Sequence, residues 1–194
     1  MRLVVLSALL VACVKSEEPA GDTGQPESSS EMTGDPDTDP LDFIDQDSLP
    51  AGPAPCRSPV KGVVDEVIDG DTIKVKTGRG VERVRLIGID APEVDHGGTD
   101  DDCYGEEAKR YLADILDRES VWLTFDSECE DNYDRSLAYV HRGTQEDQFI
   151  QRKLLMGGWA STLFIEPNVT FRSLFSDDQS EAQGAGAGMW GDCR

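Results

Sequence analysis

A run of nine residues combines side chains that suit phosphate and metal chemistry: Arg85-Leu86-Ile87-Gly88-Ile89-Asp90-Ala91-Pro92-Glu93. An arginine forms paired hydrogen bonds to phosphate oxygens, and carboxylates are the oxygen ligands that hard divalent cations prefer. Arg85, Asp90 and Glu93 are therefore candidates for a combined phosphate and metal site.

The strand that carries these residues poses a geometric problem. Apolar, mostly β-branched residues between positions 84 and 89 favour a strand, and Pro92 ends it. Arg85 and Asp90 are five residues apart, so a regular strand would send their side chains to opposite faces. We expect a bend or bulge at Gly88, because without it the site cannot assemble.

The elements around this run follow from the spacing of apolar residues. Alternation and turn signals predict strands at 60–67, 73–76, 81–89, 121–125 and 137–140. Helical spacing predicts helices at 105–118, 149–155 and 171–182. We therefore predict an α+β fold that is rich in β structure, a five-stranded OB-type barrel with about three helices.

The chain divides into three parts. Residues 1–13 have the character of a signal peptide, and Leu10-Val11-Ala12-Cys13 resembles a bacterial lipobox, in which the cysteine takes a diacylglyceryl group. The alternative is an ordinary secretory signal that contains a cysteine by chance. We expect lipidation of Cys13 and an exported protein anchored in a membrane of the cell envelope or at the cell surface.

Residues 14–55 are rich in acidic, Ser, Thr, Pro and Gly residues, which predicts a disordered tether, and residues 56–194 form the globular domain. Leu41, Phe43, Ile44 and Leu49 form a weak apolar island that could dock on the domain, but we expect it to be as disordered as its surroundings. The whole chain carries a net charge of −21, with 28 acidic and 16 basic residues from position 57 onward. This charge argues against long-range attraction to nucleic acid or to anionic lipid. We expect a monomer.

Four cysteines remain after Cys13, and an even number in an exported domain predicts two disulfides with three possible pairings. We favour Cys103–Cys129, between two loops, and Cys56–Cys193, which would join the ends of the domain. A zinc site is the alternative, but the close CxxC spacing that such sites use is absent from the sequence.

Several separated motifs occur in a characteristic order. They are Ile68-Asp69-Gly70-Asp71-Thr72, the run from Arg85 to Glu93, Tyr104-Gly105-Glu106-Glu107-Ala108, the stretch from Asp131 to Tyr139, and Gly188-Met189-Trp190 near the end. Together they resemble the thermonuclease family, the staphylococcal nuclease-like domains, over roughly residues 60–190. The resemblance implies an OB-type barrel and calcium-dependent cleavage of DNA and RNA.

The resemblance also implies roles for individual residues around a bound Ca²⁺. Asp71 and Asp90 would be its carboxylate ligands. Ala91 would contribute its backbone carbonyl, at a position where the family often has threonine. Glu93 would be the general base that takes a proton from the attacking water.

On the substrate side, the resemblance assigns phosphate binding to Arg85 and Arg135 and contact with the nucleotide to Tyr133. Asp134 departs from the family, which usually has glycine there, so we expect a positive φ at this position. That departure, together with the acidic charge, supports the alternative of a catalytically inactive OB-type binding module at the cell surface. The intact set of polar residues favours the enzyme.

Two other groups of residues invite functional interpretations that the sequence does not favour. Asp100, Asp101 and Asp102 suggest a second calcium site, although a solvated loop is the simpler interpretation. His96 and His141 suggest a histidine-pair ribonuclease, but their spacing gives no sign that both reach one phosphate.

Overall fold

The computed structural model describes residues 38–94 and 102–193. The expected signal segment with Cys13, the tether up to residue 37, and the loop residues His96, Asp100 and Asp101 lie outside the described residues. Within the described ranges, none of the helices is both long and apolar enough to cross a membrane.

Five strands close into a barrel, which confirms the predicted fold class. They are β1 (Val60–Asp69), β2 (Thr72–Thr77), β3 (Gly80–Leu86), β5 (Ser120–Thr124) and β6 (Ser136–His141). Their order around the barrel is β1-β2-β3-β6-β5. The β3–β6 pair is parallel and the others are antiparallel, so β1, β2 and β3 form the expected meander.

Two short strands, β4 (Gly88–Asp90) and β7 (Ser161–Leu163), form a separate antiparallel sheet beside the barrel. The helices are α1 (Gly105–Leu116), α2 (Ile150–Met156), α3 (Arg172–Ala185) and a single turn, α4 (Met189–Asp192). The apolar faces of α1, α2 and α3 join the inner faces of the strands in one core. This core fixes the ends of β1, β3 and β6, where the candidate site residues lie.

Residues 38–55 pack against the barrel, whereas the sequence places them in the disordered tether. We call this segment the strap. Leu41 and Leu49 are only 7% and 5% exposed. The Trp122 indole donates to the Leu41 carbonyl at 3.2 Å, and the Thr124 hydroxyl donates to the Pro50 carbonyl at 2.6 Å. The polar composition of the segment did not predict this packing. Two widely spaced leucines and a few hydrogen bonds to β5 are enough to dock the segment, and they leave its overall composition polar.

The disulfides join different cysteines from those that we favoured. Cys56 bonds to Cys129 and Cys103 bonds to Cys193, so the expected pairing is wrong. The expectation that the four cysteines form two disulfides and not a zinc site is correct. The strap ends beside the loop after β5, where the Cys56 N–H donates to the Asp126 carbonyl at 2.7 Å. That docking brings Cys56 to Cys129 and leaves the C-terminal Cys193 to join the start of α1.

Candidate active site

The predicted bend between Arg85 and Asp90 is present. β3 ends at Leu86, and Gly88 has a φ of +85°, which L side chains rarely adopt. A Cβ on Gly88 would lie 2.6 Å from the Phe175 ring, so only glycine fits without displacement. The chain therefore leaves the barrel at this point, and Asp90 pairs with Ser161 on β7.

Arg85 joins the two carboxylates that the sequence assigned to metal binding. Its Nη1 lies 2.7 Å from Asp71 Oδ2 and its Nη2 lies 2.8 Å from Asp90 Oδ1. Nη1 also lies within hydrogen-bond distance of the carbonyl oxygens of Leu86 and Ile89, on either side of the bend. The bend thus places Arg85 and Asp90 on the same side of the chain.

Asp71 reaches this group from the turn between β1 and β2. Its side chain is nearly buried, and its Oδ2 accepts a hydrogen bond from the Ala91 N–H at 3.0 Å. Burial raises the pKa of the Asp71 carboxyl, and the neighbouring Arg85 charge opposes this rise. The structure therefore brings Asp71, Arg85, Asp90 and the Ala91 N–H together.

The carboxylate oxygens of Asp71 and Asp90 are of the kind that hard divalent cations prefer, and both carboxylates are paired with Arg85. Asp71 and Asp90 provide carboxylate oxygens, and Asp90 keeps 48% of its side chain exposed, so the group is open to solvent. Among the described residues, no three His, Cys, Asp or Glu side chains form a cluster that could hold a metal. The predicted ligands of the cation include only two such side chains, Asp71 and Asp90, together with the Ala91 backbone carbonyl. This ligand set is therefore smaller than such a cluster.

Glu93 lies just beyond these carboxylates on a backbone that is held in place. Its carbonyl accepts from the Asp102 N–H at 3.0 Å, and its N–H donates to Asp102 Oδ2 at 3.3 Å. Partial burial and the nearby charges of Asp71, Asp69 and Asp90 raise the pKa of the Glu93 carboxyl. A raised pKa makes this carboxylate a stronger base, as the predicted role requires.

Arg135 is fixed by a residue that the sequence analysis did not identify. The Asp131 carboxylate accepts from the backbone N–H groups of Tyr133 and Arg135 at 2.9 and 3.0 Å, and from Arg135 Nε at 2.7 Å. The turn holds Asp134 at a φ of +57°, as expected for a position where glycine is usual. The sequence carried no signal for this pair, because the contact depends on the conformation of the turn.

Both arginines line one cleft of about 330 Å³, and Leu86, Ile87 and Leu137 also line it. Tyr133 also lines it, with 76% of its surface exposed and its ring centre 5.4 Å from the Arg135 Cζ. Arg85 borders both this cleft and the carboxylates of Asp71 and Asp90. A phosphate in the cleft would therefore lie next to the candidate metal ligands.

His141 takes no part in this site. Its side chain is fully buried, and its Nε2 lies 2.9 Å from the Thr124 hydroxyl oxygen. A histidine-pair mechanism needs both rings at a phosphate, and this ring cannot reach one from the core.

Residues 83–192 match the family model described as staphylococcal nuclease homologue. The chain belongs to this family. The matched range includes Arg85, Asp90, Glu93 and Arg135, while Asp71 lies just before it. Membership of this family agrees with the five-stranded barrel.

Individual relatives cover most of the barrel domain. The thermonuclease of Staphylococcus intermedius is 39% identical over 66% of this chain and 74% of its own length. The thermonuclease of Staphylococcus hyicus is 34% identical over 66% of this chain and 73% of its own length. Endonuclease YncB of Bacillus subtilis is 28% identical, but over 98% of this chain and 89% of its own length.

Proposed function

We propose that this protein is a calcium-dependent phosphodiesterase that hydrolyses DNA or RNA. The observation that carries the proposal is the position of Arg85, which bridges the two candidate metal ligands and borders the cleft that Arg135 also lines. Membership of the staphylococcal nuclease family supports it, as do relatives named thermonuclease and endonuclease.

In this proposal each residue has one task. Asp71, Asp90 and the Ala91 carbonyl would hold Ca²⁺, which supplies positive charge next to the scissile phosphate. Glu93 removes a proton from the attacking water. Arg85 and Arg135 stabilise the charge that develops on the phosphate oxygens, and Tyr133 lies against the nucleotide.

A bound cation would also offset part of the negative charge of the chain. With a net charge of −21, the protein gains no long-range attraction for a polyanion, so binding must come from local contacts. Few protein carboxylates hold the ion, so we expect a dissociation constant of about 10⁻⁴–10⁻³ M, as in extracellular calcium modules.

The test is cleavage of a labelled single-stranded DNA and a matched RNA by the full-length protein, with Ca²⁺ and with EGTA. We expect cleavage in Ca²⁺ and no cleavage in EGTA. Addition of excess Ca²⁺ to the EGTA sample should restore cleavage. Cleavage that continues in EGTA would refute the calcium requirement.

We also propose that the protein is exported and anchored to a membrane through a lipid on Cys13. The apolar run that ends in Leu10-Val11-Ala12-Cys13 supports this proposal. We expect Cys13→Ser to move the protein from the membrane fraction to the soluble fraction in cells that process lipoproteins. Retention of the variant in membranes would contradict lipidation at this cysteine.

A further inference from the structure

Positive charge continues from the cleft along the outer face of β3. Val84 and Leu86 are buried inside the barrel, so the alternate residues Arg83 and Arg85 both point outward. Lys74 on β2 is the direct antiparallel partner of Arg83, and such partners point to the same face of a sheet. Arg83 therefore lies beside a lysine and two residues before the arginine of the cleft.

The parallel pairing of β3 with β6 places Arg83 level with Arg135. The first pair is Val84 with Ser136, both buried, and Arg83 and Arg135 are the residues directly before it. Both therefore lie on the outer face, and neighbouring strands are about 4.8 Å apart. Three cations thus form a row across β2, β3 and the start of β6. This basic row consists of Lys74, Arg83 and Arg135.

Arg83 is the member of the basic row that is free to bind a ligand. Its side chain is exposed, and within residues 38–94 and 102–193 it forms neither a hydrogen bond nor an ion pair. Lys74 is paired with Glu66, but their side chains are 40% and 55% exposed. An exposed ion pair contributes little to stability, so a phosphate can replace the carboxylate at Lys74. In a chain with a net charge of −21, such cations are the local contacts that a polyanion needs.

The spacing of the row suits consecutive phosphates of one strand. The Cα atoms of Arg83 and Arg85 are separated by two residues of a β-strand, or about 7 Å. Phosphates recur about every 3.4 Å along the axis of a helical nucleic acid strand, and they lie further apart when the strand is extended. A strand whose scissile phosphate lies at Arg85 and Arg135 can therefore bring the next phosphate to Arg83.

We infer that Arg83 binds the phosphate next to the scissile one, with Lys74 beside it, so that the substrate strand continues from the cleft over β3 and β2. The inference rests on the proposed nuclease function and specifies its substrate class, strands with at least two consecutive phosphates. One exposed contact between an arginine and a phosphate should increase affinity about three- to tenfold.

The test is an equilibrium binding titration of the full-length protein in Ca²⁺, with Glu93→Gln in every sample to keep the ligand intact. The ligands are a thymidine dinucleotide, which has one phosphate, and a thymidine pentanucleotide, which has four. We expect Arg83→Gln to weaken pentanucleotide binding about three- to tenfold and to leave dinucleotide binding within about twofold. The slope of log K against log salt for the pentanucleotide should become shallower by about 0.7, the value for one phosphate contact on a single strand.

Two further variants show whether the position and charge of Arg83 are responsible. Arg83→Lys keeps the positive charge and should keep the salt slope of the parent protein. The control Arg110→Gln removes the same charge from an exposed position on α1 that does not line the cleft, and it should weaken pentanucleotide binding less than twofold. Equal weakening by Arg83→Gln and Arg110→Gln, or equal weakening by Arg83→Gln for both ligands, overturns the inference.

Cleavage of the pentanucleotide in Ca²⁺ by the protein with Glu93 intact separates the two proposals. Cleavage together with binding that does not depend on Arg83 refutes the second phosphate site and leaves the nuclease function standing. Binding that depends on Arg83 without any cleavage refutes the nuclease function and leaves the phosphate site at Arg83 standing.

Discussion

Asp131 is the residue that most changes the description of the site. Its carboxylate binds Arg135 through Nε and so orients the guanidinium toward the cleft while the terminal nitrogens remain for a phosphate. Partial burial opposes ionisation, but the hydrogen bonds from Arg135 and Tyr133 outweigh it and lower the pKa of the Asp131 carboxyl. Asp131 is therefore a positioning residue, held ionised at neutral pH.

Replacing Asp131 with asparagine should lower kcat for DNA cleavage about 10- to 100-fold, because a hydrogen bond to a charged group contributes about 1.5–3 kcal/mol. The amide oxygen can still accept from the turn backbone, so the fold should persist. Steady-state kinetics of a double-mutant cycle with Arg135→Ala test the mechanism. In the Arg135→Ala background the asparagine should change kcat less than twofold. An equal loss in both backgrounds would indicate a purely structural role.

At the scale of elements, the break between β3 and β4 assembles the site, and Gly88 permits the break. Gly88→Ala should lower the free energy of unfolding by about 2–4 kcal/mol, since it adds a strained φ and a clash with Phe175. DNA cleavage should fall as Asp90 moves relative to Arg85. Gly78→Ala is the control, because a Cβ there meets no atom within 4 Å. Similar urea unfolding curves for the two variants would contradict this account.

The strap should contribute to the stability of the barrel. Leu41→Ala is expected to cost about 2 kcal/mol in the free energy of unfolding, because it removes a buried side chain. Phe43→Ala, two residues away and 77% exposed in the native protein, should change it by less than about 0.5 kcal/mol. Urea denaturation of both variants checks this prediction, and equal effects would show that the strap does not pack in solution.

The sequence predicted the elements well where local patterns decide them. The five strands, the meander and the bend at Gly88 follow from alternation, turn residues and the parity of Arg85 and Asp90. The strap and the disulfide pairing did not follow, because both depend on which surfaces meet after the barrel closes. Asp131 was missed because an acidic residue four positions before an arginine has no functional signature until the turn is seen.

At the scale of the whole molecule, the two disulfides hold the two halves of the site. Cys56–Cys129 joins the residue directly after the strap to the loop that leads to Arg135. Cys103–Cys193 joins the C-terminus to the segment that follows Asp102, which holds the Glu93 backbone. Both halves are thus cross-linked to the termini of the folded part, an arrangement suited to the oxidising environment that we expect for this protein.

Acid should destabilise the whole fold through His141. Burial lowers the pKa of His141 to about 3 from an ordinary 6.5, so the unfolded chain binds a proton in this interval and the folded chain does not. The free energy of unfolding therefore decreases as pH falls below about 6.5. His141 alone should account for a decrease of about 2 kcal/mol at pH 5. Urea unfolding of the wild type and His141→Gln at pH 7 and pH 5 tests this. The wild type should lose about 2 kcal/mol more than the variant, and equal losses would contradict the assignment.

Glu93 is the proposed base in phosphodiester hydrolysis, and the kcat of Glu93→Gln for single-stranded DNA in saturating Ca²⁺ tests this role. Glutamine keeps the size of the side chain and removes its basicity, so we expect kcat to fall at least about 100-fold. The control Glu181→Gln, on the exposed side of α3, should retain kcat within about twofold. A Glu93→Gln variant that cleaves as fast as this control would contradict the account.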